Sequence, residues 1–150
     1  MQGIIFIGSD LWTSLSLPAS AQFLEKGSNP EIDSYSAFFD NTGVAGAGST
    51  GLDQIVAGST EIVVVGVALD FCVGSTILDS LELGFQTTLL MDMTKPVNDD
   101  TGAEMLLKVE SAGGWVTTFQ EWKEGLGGWE RAKQLAEFLI NKNDAYANNV

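Results

Sequence analysis

Hydrophobic and polar positions along this chain change period several times, and the changes mark its elements. The clearest is Glu61 to Val67, Glu-Ile-Val-Val-Val-Gly-Val, a continuous β-branched run of the kind buried on both faces of a parallel sheet. Ala68-Leu69-Asp70 then make a turn. Apolar residues at Val73, Ile77, Leu78 and Leu81 predict a helix over Phe71 to Leu83, with Asp70 as its N-cap and Gly84 as its stop. Phe85 to Met91 reads as the next strand. Asn98 to Ala112 reads as the next helix, through Ala103, Leu106, Leu107 and Val109, and Trp115 to Thr118 as a short last strand. Strand, helix, strand, helix, strand predicts an α/β fold with a parallel sheet and right-handed crossovers.

The flanks are less regular. Gly3 to Ile7 predicts a short strand, Ser9 to Ser20 has no clean period, and Gln22 to Lys26 predicts a second short strand ended by the turn formers Gly27-Ser28-Asn29-Pro30. Ile32 to Asn41 carries Tyr35, Phe38 and Phe39, and Thr42 to Gly51 is a Gly/Ala/Ser-rich connection after which Thr50 caps a short helix over Gly51 to Ala57. Toward the other end, Trp129 to Lys142 sets Trp129, Ala132, Leu135, Ala136 and Leu139 on one helical stripe, a terminal amphipathic helix expected to pack on the sheet or cover an edge.

Composition narrows the partners. A chain of 150 residues with 45% apolar and 18% charged side chains is expected to form one domain over 1–150. Its net charge of -13 repels phosphate backbones and anionic lipid, so no nucleic acid and no membrane surface is expected as a partner. The apolar runs fall far short of the roughly 20 residues that span a bilayer. The opening segment lacks the basic residues of a signal peptide, and a single cysteine suits a reducing compartment, so a cytoplasmic location is expected. Open sheet edges favour self-association into a homo-oligomer.

The chain has no histidine, which removes the usual general base, the usual partner of a catalytic cysteine and the commonest transition-metal ligand. Any cysteine chemistry must then use carboxylate and lysine. Cys72 itself admits two readings. Free cysteines are among the most buried residue types, which makes it an inert core residue. It also stands in the first turn of a helix at the carboxyl end of the strongest strand, where ligands gather in open α/β sheets and unpaired amides favour a thiolate.

Two segments bear on that choice. Gly66-Val67-Ala68-Leu69-Asp70-Phe71-Cys72-Val73 closely resembles the Gly-x-Ala-Thr-Asp-x-Cys-Val nucleophile motif of nicotinamidases and related isochorismatase-fold hydrolases, with Leu69 in place of the threonine. Lys26-Gly27-Ser28-Asn29-Pro30-Glu31-Ile32-Asp33-Ser34-Tyr35-Ser36-Ala37-Phe38-Phe39-Asp40-Asn41 resembles the lysine loop of nicotinamidases almost throughout. The resemblance runs from about Phe23 to about Thr118 and leaves 119–150 as a carboxy-terminal extension. It implies the isochorismatase-like hydrolase fold, a three-layer arrangement of parallel sheet and flanking helices.

The resemblance also implies roles. Cys72 would attack a small-molecule carboxamide to form a thioester, and Lys26 would stabilise the thiolate. Backbone amides of Ala68 and Cys72 would hold the oxyanion, with a cis peptide between Val67 and Ala68. Phe71 and Tyr35 would contact a flat aromatic ring or else belong to the core, and Asp33 and Asp40 would make turn and cap hydrogen bonds.

Other parts of the family pattern are missing. Members open with a strand ending in Asp-x-Gln, whose aspartate shuttles the proton, and carry an Asp-x-His and a further His that bind a divalent metal. With no histidine, that ligand set is excluded, and neither metal nor other cofactor is expected. Asp10 is the candidate acid, yet it stands too close before Lys26 for the intervening helix and strand. Either the opening strand has been rebuilt by a deletion, or the amino-terminal third of the domain is missing and Gln2 to Ser20 is unrelated sequence; the second is preferred, so the fold is expected to be incomplete at its N-terminus.

Two functions compete. One is a nicotinamidase-like amide hydrolase that converts nicotinamide to nicotinate and ammonia in NAD salvage. The other is a truncated, inactive homologue that keeps the fold as a binding or assembly subunit. A metal-independent isochorismatase-like relative would suit the lack of histidine, but the Lys26 to Asn41 loop argues for the nicotinamidase type.

Overall fold

The computed structural model describes residues 5–7, 19–42 and 48–125. Asp10 and the helix expected over Trp129 to Lys142 lie outside them. Ile5–Ile7 (β1) pairs in parallel with Gln22–Leu24 (β2), Ile5 opposite Gln22 and Ile7 opposite Leu24. A second sheet holds Glu61–Val67 (β3), Gln86–Lys95 (β4) and Trp115–Thr117 (β5), all parallel in the order β3-β4-β5. Between its strands run Gly74–Glu82 (α2) and Asp99–Ser111 (α3), the strand-helix alternation read from the sequence. Leu52–Ile55 (α1) precedes this unit and Phe119–Lys123 (α4) follows it.

The helices are held by apolar stripes that meet the sheet. Leu69, Val73 and Ile77, spaced four residues apart, are buried with Leu89 of β4 and Val109 of α3, and Val64 packs against the same cluster. Gly74 permits the close approach of α2 and α3, because a Cβ there would lie 2.5 Å from the Leu69 carbonyl oxygen and collide with Met105. Gly84 ends α2 as expected, with φ at 88°. A second cluster, Leu24, Ala37, Phe38, Leu52 and Val56, joins β2 to the loop after it and to α1. On the alternate positions of β3, Val65 and Val67 are exposed, as are Met91 and Met93 of β4.

Several boundaries differ from the sequence expectation for physical reasons. β4 continues past Met91 to Lys95, because its pairing with β3 jumps from Val64–Leu89 to Gly66–Thr94. The extra residues in β4 break the apolar run that marks its first half. Thr50 does accept the Leu52 amide at 3.2 Å, but the cap position of α1 is Gly51, with φ at 82°. Thr118, expected at the end of the last strand, instead caps α4. Its hydroxyl accepts the Glu121 amide at 3.3 Å, while the Glu121 carboxylate accepts the Thr118 amide at 3.2 Å. The Thr-x-x-Glu signature of a capping box was there to read.

Asp70 is also relocated. The helical segment starts not at Phe71 but in a π-helical turn, Leu69–Val73, whose cap position is Ala68. Asp70 therefore lies inside the first turn and turns its carboxylate to the start of α3, away from its own helix. It accepts the Val97 amide at 2.9 Å, the Asn98 amide at 3.1 Å and the Thr101 hydroxyl at 2.7 Å, while Asn98 caps α3 itself through the Asp100 and Thr101 amides. Withdrawal from water raises the Asp70 pKa, but the three hydrogen bonds outweigh that and hold it below the ordinary carboxylate value. A group with a depressed folded-state pKa contributes stability above its unfolded pKa and loses it as pH falls through the folded value. Asp70→Asn is expected to lower the thermal midpoint at neutral pH and to narrow the gap to wild type in acid. Melting curves across that range check this, and a pH-independent difference would sink it.

Candidate functional site

The carboxyl end of β3 delivers the chain into the site. The Val67–Ala68 peptide is cis, as the resemblance implies. In the π-helical turn that follows, Leu69 and Val73 are each 5% exposed and fix the turn to the core. Phe71 and Cys72, between them, are left facing outward, with Cys72 half-buried and free of any disulfide. The Phe71 and Val73 amides both donate to the Ala68 carbonyl, at 3.1 and 3.0 Å, and the Cys72 amide between them does not. A buried inert role for Cys72 does not suit this placement.

Lys26 comes from the other core cluster. Leu24 buries the end of β2, and the chain then leaves the sheet so that the lysine reaches across to the turn. Its Nζ donates to the Ser34 carbonyl at 2.5 Å, to the Tyr35 carbonyl at 2.7 Å and to Cys72 Sγ at 3.4 Å. An ammonium has three protons, and all three are used here. Two anchor the side chain to its own loop, and the third meets sulfur.

The loop that supplies those carbonyls is closed by its own polar groups. The Asn41 amide donates to the Asp33 carbonyl at 2.8 Å, and the Tyr35 amide to the Asn41 side-chain oxygen at 3.3 Å. The Asp40 carboxylate accepts the Thr42 amide at 3.0 Å, the turn role expected of it. Asp33 makes its own turn hydrogen bond through its carbonyl. Tyr35, whose carbonyl holds Lys26, also sets its ring 5.7 Å from that of Phe71 at 55°, and both rings are about two-fifths exposed beside Cys72. An exposed pair of tilted rings is a surface that a flat aromatic ligand can join.

One residue in this network is not apparent from the motifs. Thr76, one helical turn after Cys72 and 7% exposed, accepts the Ala37 amide at 2.9 Å and donates to the Cys72 carbonyl at 2.7 Å. Its only sequence signal is a threonine four positions after the cysteine. Among the described residues no carboxylate bonds to Lys26 or to Cys72. Nor do three Cys, Asp or Glu side chains converge there in a way that could hold a metal ion. With no histidine in the chain as well, the residues present do not fit the divalent metal site of the family pattern.

The model of the isochorismatase domain family matches residues 27–121, more than half of the chain. This chain belongs to the isochorismatase domain family. The matched span contains the loop of Ser34 and Tyr35, the Cys72 turn and the whole β3-to-β5 unit; Lys26 stands immediately before it. Among individual isochorismatase-family relatives, nicotinamidase of Escherichia coli (strain K12) is 36% identical over 124 residues, which are 80% of this chain and 57% of the relative. Two solved structures share the fold. PnC1 from L. infantum, in complex with nicotinate, has a TM-score of 0.60 at 36% identity and covers 65% of this chain and 48% of its own. The Acinetobacter baumanii nicotinamidase pyrazinamidase has a TM-score of 0.66 at 30% identity and covers 73% and 53%. The chain thus spans about half the length of the relatives it matches.

Proposed function

We propose that this protein hydrolyses nicotinamide to nicotinate and ammonia, a reaction of NAD salvage, through a thioester on Cys72. The observation that carries the reading is the Lys26 ammonium, with one proton on Cys72 Sγ and two on the loop that also presents Tyr35. The 36% identity to a nicotinamidase supports the choice of substrate. The thiolate attacks the carboxamide carbon, and the oxyanion is received by the Ala68 and Cys72 amides. The carbon–nitrogen bond breaks, the amine leaves as ammonia with the proton taken from the thiol, and water then splits the thioester to nicotinate and restores the thiol. Where the opening strand is one rebuilt by a deletion, Asp10 is the proposed proton carrier. Phe71 and Tyr35 are the proposed contacts for the pyridine ring.

The test is direct. Purified protein is incubated with nicotinamide, ammonia and nicotinate are measured, and a quenched sample is searched by mass spectrometry for acyl adduct on Cys72. If neither product nor adduct forms, the hydrolase reading is abandoned in favour of a fold retained for binding or assembly. No metal takes part in this proposal, so activity is expected to survive exhaustive chelation unchanged. A loss that zinc or iron restores would overturn that part.

The cellular setting is proposed as cytoplasmic; no helix among the described residues is long and apolar enough to cross a membrane. Self-association is proposed as well, supported by the exposure of Val65, Val67, Met91 and Met93 and by the open edges of the described sheet. Light scattering checks it, and a monomeric mass at all concentrations would refute it.

A further inference from the structure

We propose that Thr76 is a positioning residue that sets the contact between Lys26 and Cys72. It rests on the reading of Cys72 as a nucleophile held by Lys26.

A threonine in a helix often bonds back to the carbonyl four residues earlier, and that bond alone would be ordinary. The second bond is not. The same hydroxyl accepts the amide of Ala37, which lies 39 positions earlier in sequence, in the loop whose Ser34 and Tyr35 carbonyls anchor the ammonium. Thr76 is 7% exposed and Ala37 is fully buried, so neither bond is readily exchanged for one to water. One hydroxyl, donating once and accepting once, therefore spans from the Cys72 carbonyl to the lysine loop.

The consequence is geometric. The cysteine and the lysine stand on separate apolar clusters, and their side chains meet only at a 3.4 Å contact. Such a contact between a flexible lysine and a turn is easily lost if the two backbones drift. Thr76 ties those backbones together one turn from the sulfur, and so acts on the thiolate through Lys26 without touching the substrate.

The experiment measures alkylation of Cys72 by iodoacetamide across pH in the full chain, below each variant's melting midpoint. Thr76→Val keeps the shape and removes both bonds, Thr76→Ala removes the hydroxyl without adding a buried methyl, and Thr76→Ser keeps both. The valine and alanine variants are expected to alkylate about tenfold more slowly at neutral pH, while serine stays within about twofold of wild type. In a Lys26→Met background, Thr76→Ala is expected to change the rate no further. A lowered melting midpoint with unchanged reactivity and unchanged pH profile would overturn the proposal, as would equal effects with and without Lys26. Alkylation needs no substrate. If wild type releases no ammonia from nicotinamide, the hydrolase reading fails while the Thr76 comparison still stands or falls by itself.

Discussion

Cys72→Ala is expected to reduce ammonia release from nicotinamide by about ten-thousandfold or more, because removing a nucleophile removes the covalent route and leaves only binding and the oxyanion donors. The fold should survive the change. Cys72 is half-buried, while Leu69 and Val73 on either side carry the packing of the turn. Truncating sulfur to a methyl at this place leaves no large cavity, so the melting midpoint should move little. Initial rates and melting curves on the same preparations check both halves. Residual turnover within tenfold of wild type would mean that the cysteine is not the nucleophile.

Lys26→Met is the second large effect. Methionine keeps most of the length and apolar surface of the side chain and loses the charge and all three donors. The Ser34 and Tyr35 carbonyls lose their partner, and sulfur loses its adjacent cation. Turnover is expected to fall by about a hundredfold to ten-thousandfold, the range of a positioned proton donor or charge in the reacting site. Substrate-free alkylation of Cys72 at neutral pH should fall by about tenfold. The pairing of the two measurements matters. A loss of turnover with unchanged alkylation would place Lys26 on the substrate and away from the thiolate.

Much of the α/β unit was legible because its signals are local. The run of β-branched residues at Glu61 to Val67 marks a parallel strand that the structure contains, although Val65 and Val67 are exposed where burial on both faces is expected, and the stripe of Val73 and Ile77 is buried as its spacing predicts. Cys72 and Lys26 were legible as a pair through motif resemblance; nothing in the spacing of two residues so far apart indicates that they touch. What was not legible depends on backbone or tertiary geometry. The carbonyls of Ser34 and Tyr35 carry no side-chain signature, and the Ala37 amide that meets Thr76 is a main-chain group. Asp70 was read as a cap for its own helix because aspartate before an apolar stripe usually is one. Only the π-helical turn, which starts the helix earlier, explains why its carboxylate serves α3 instead. The continuation of β4 was hidden by a register jump for which the apolar pattern gives no sign.

The two apolar clusters give the site an unusual dependence. Leu24, Ala37 and Phe38 support the lysine side, and Leu69, Val73 and Ile77 support the cysteine side. The Lys26–Cys72 contact is thus a seam between two clusters, and neither cluster owns it. Cutting a buried leucine or isoleucine back to alanine typically costs about 2–5 kcal/mol. In this architecture such damage on either side is expected to part the seam, read as slower alkylation of Cys72.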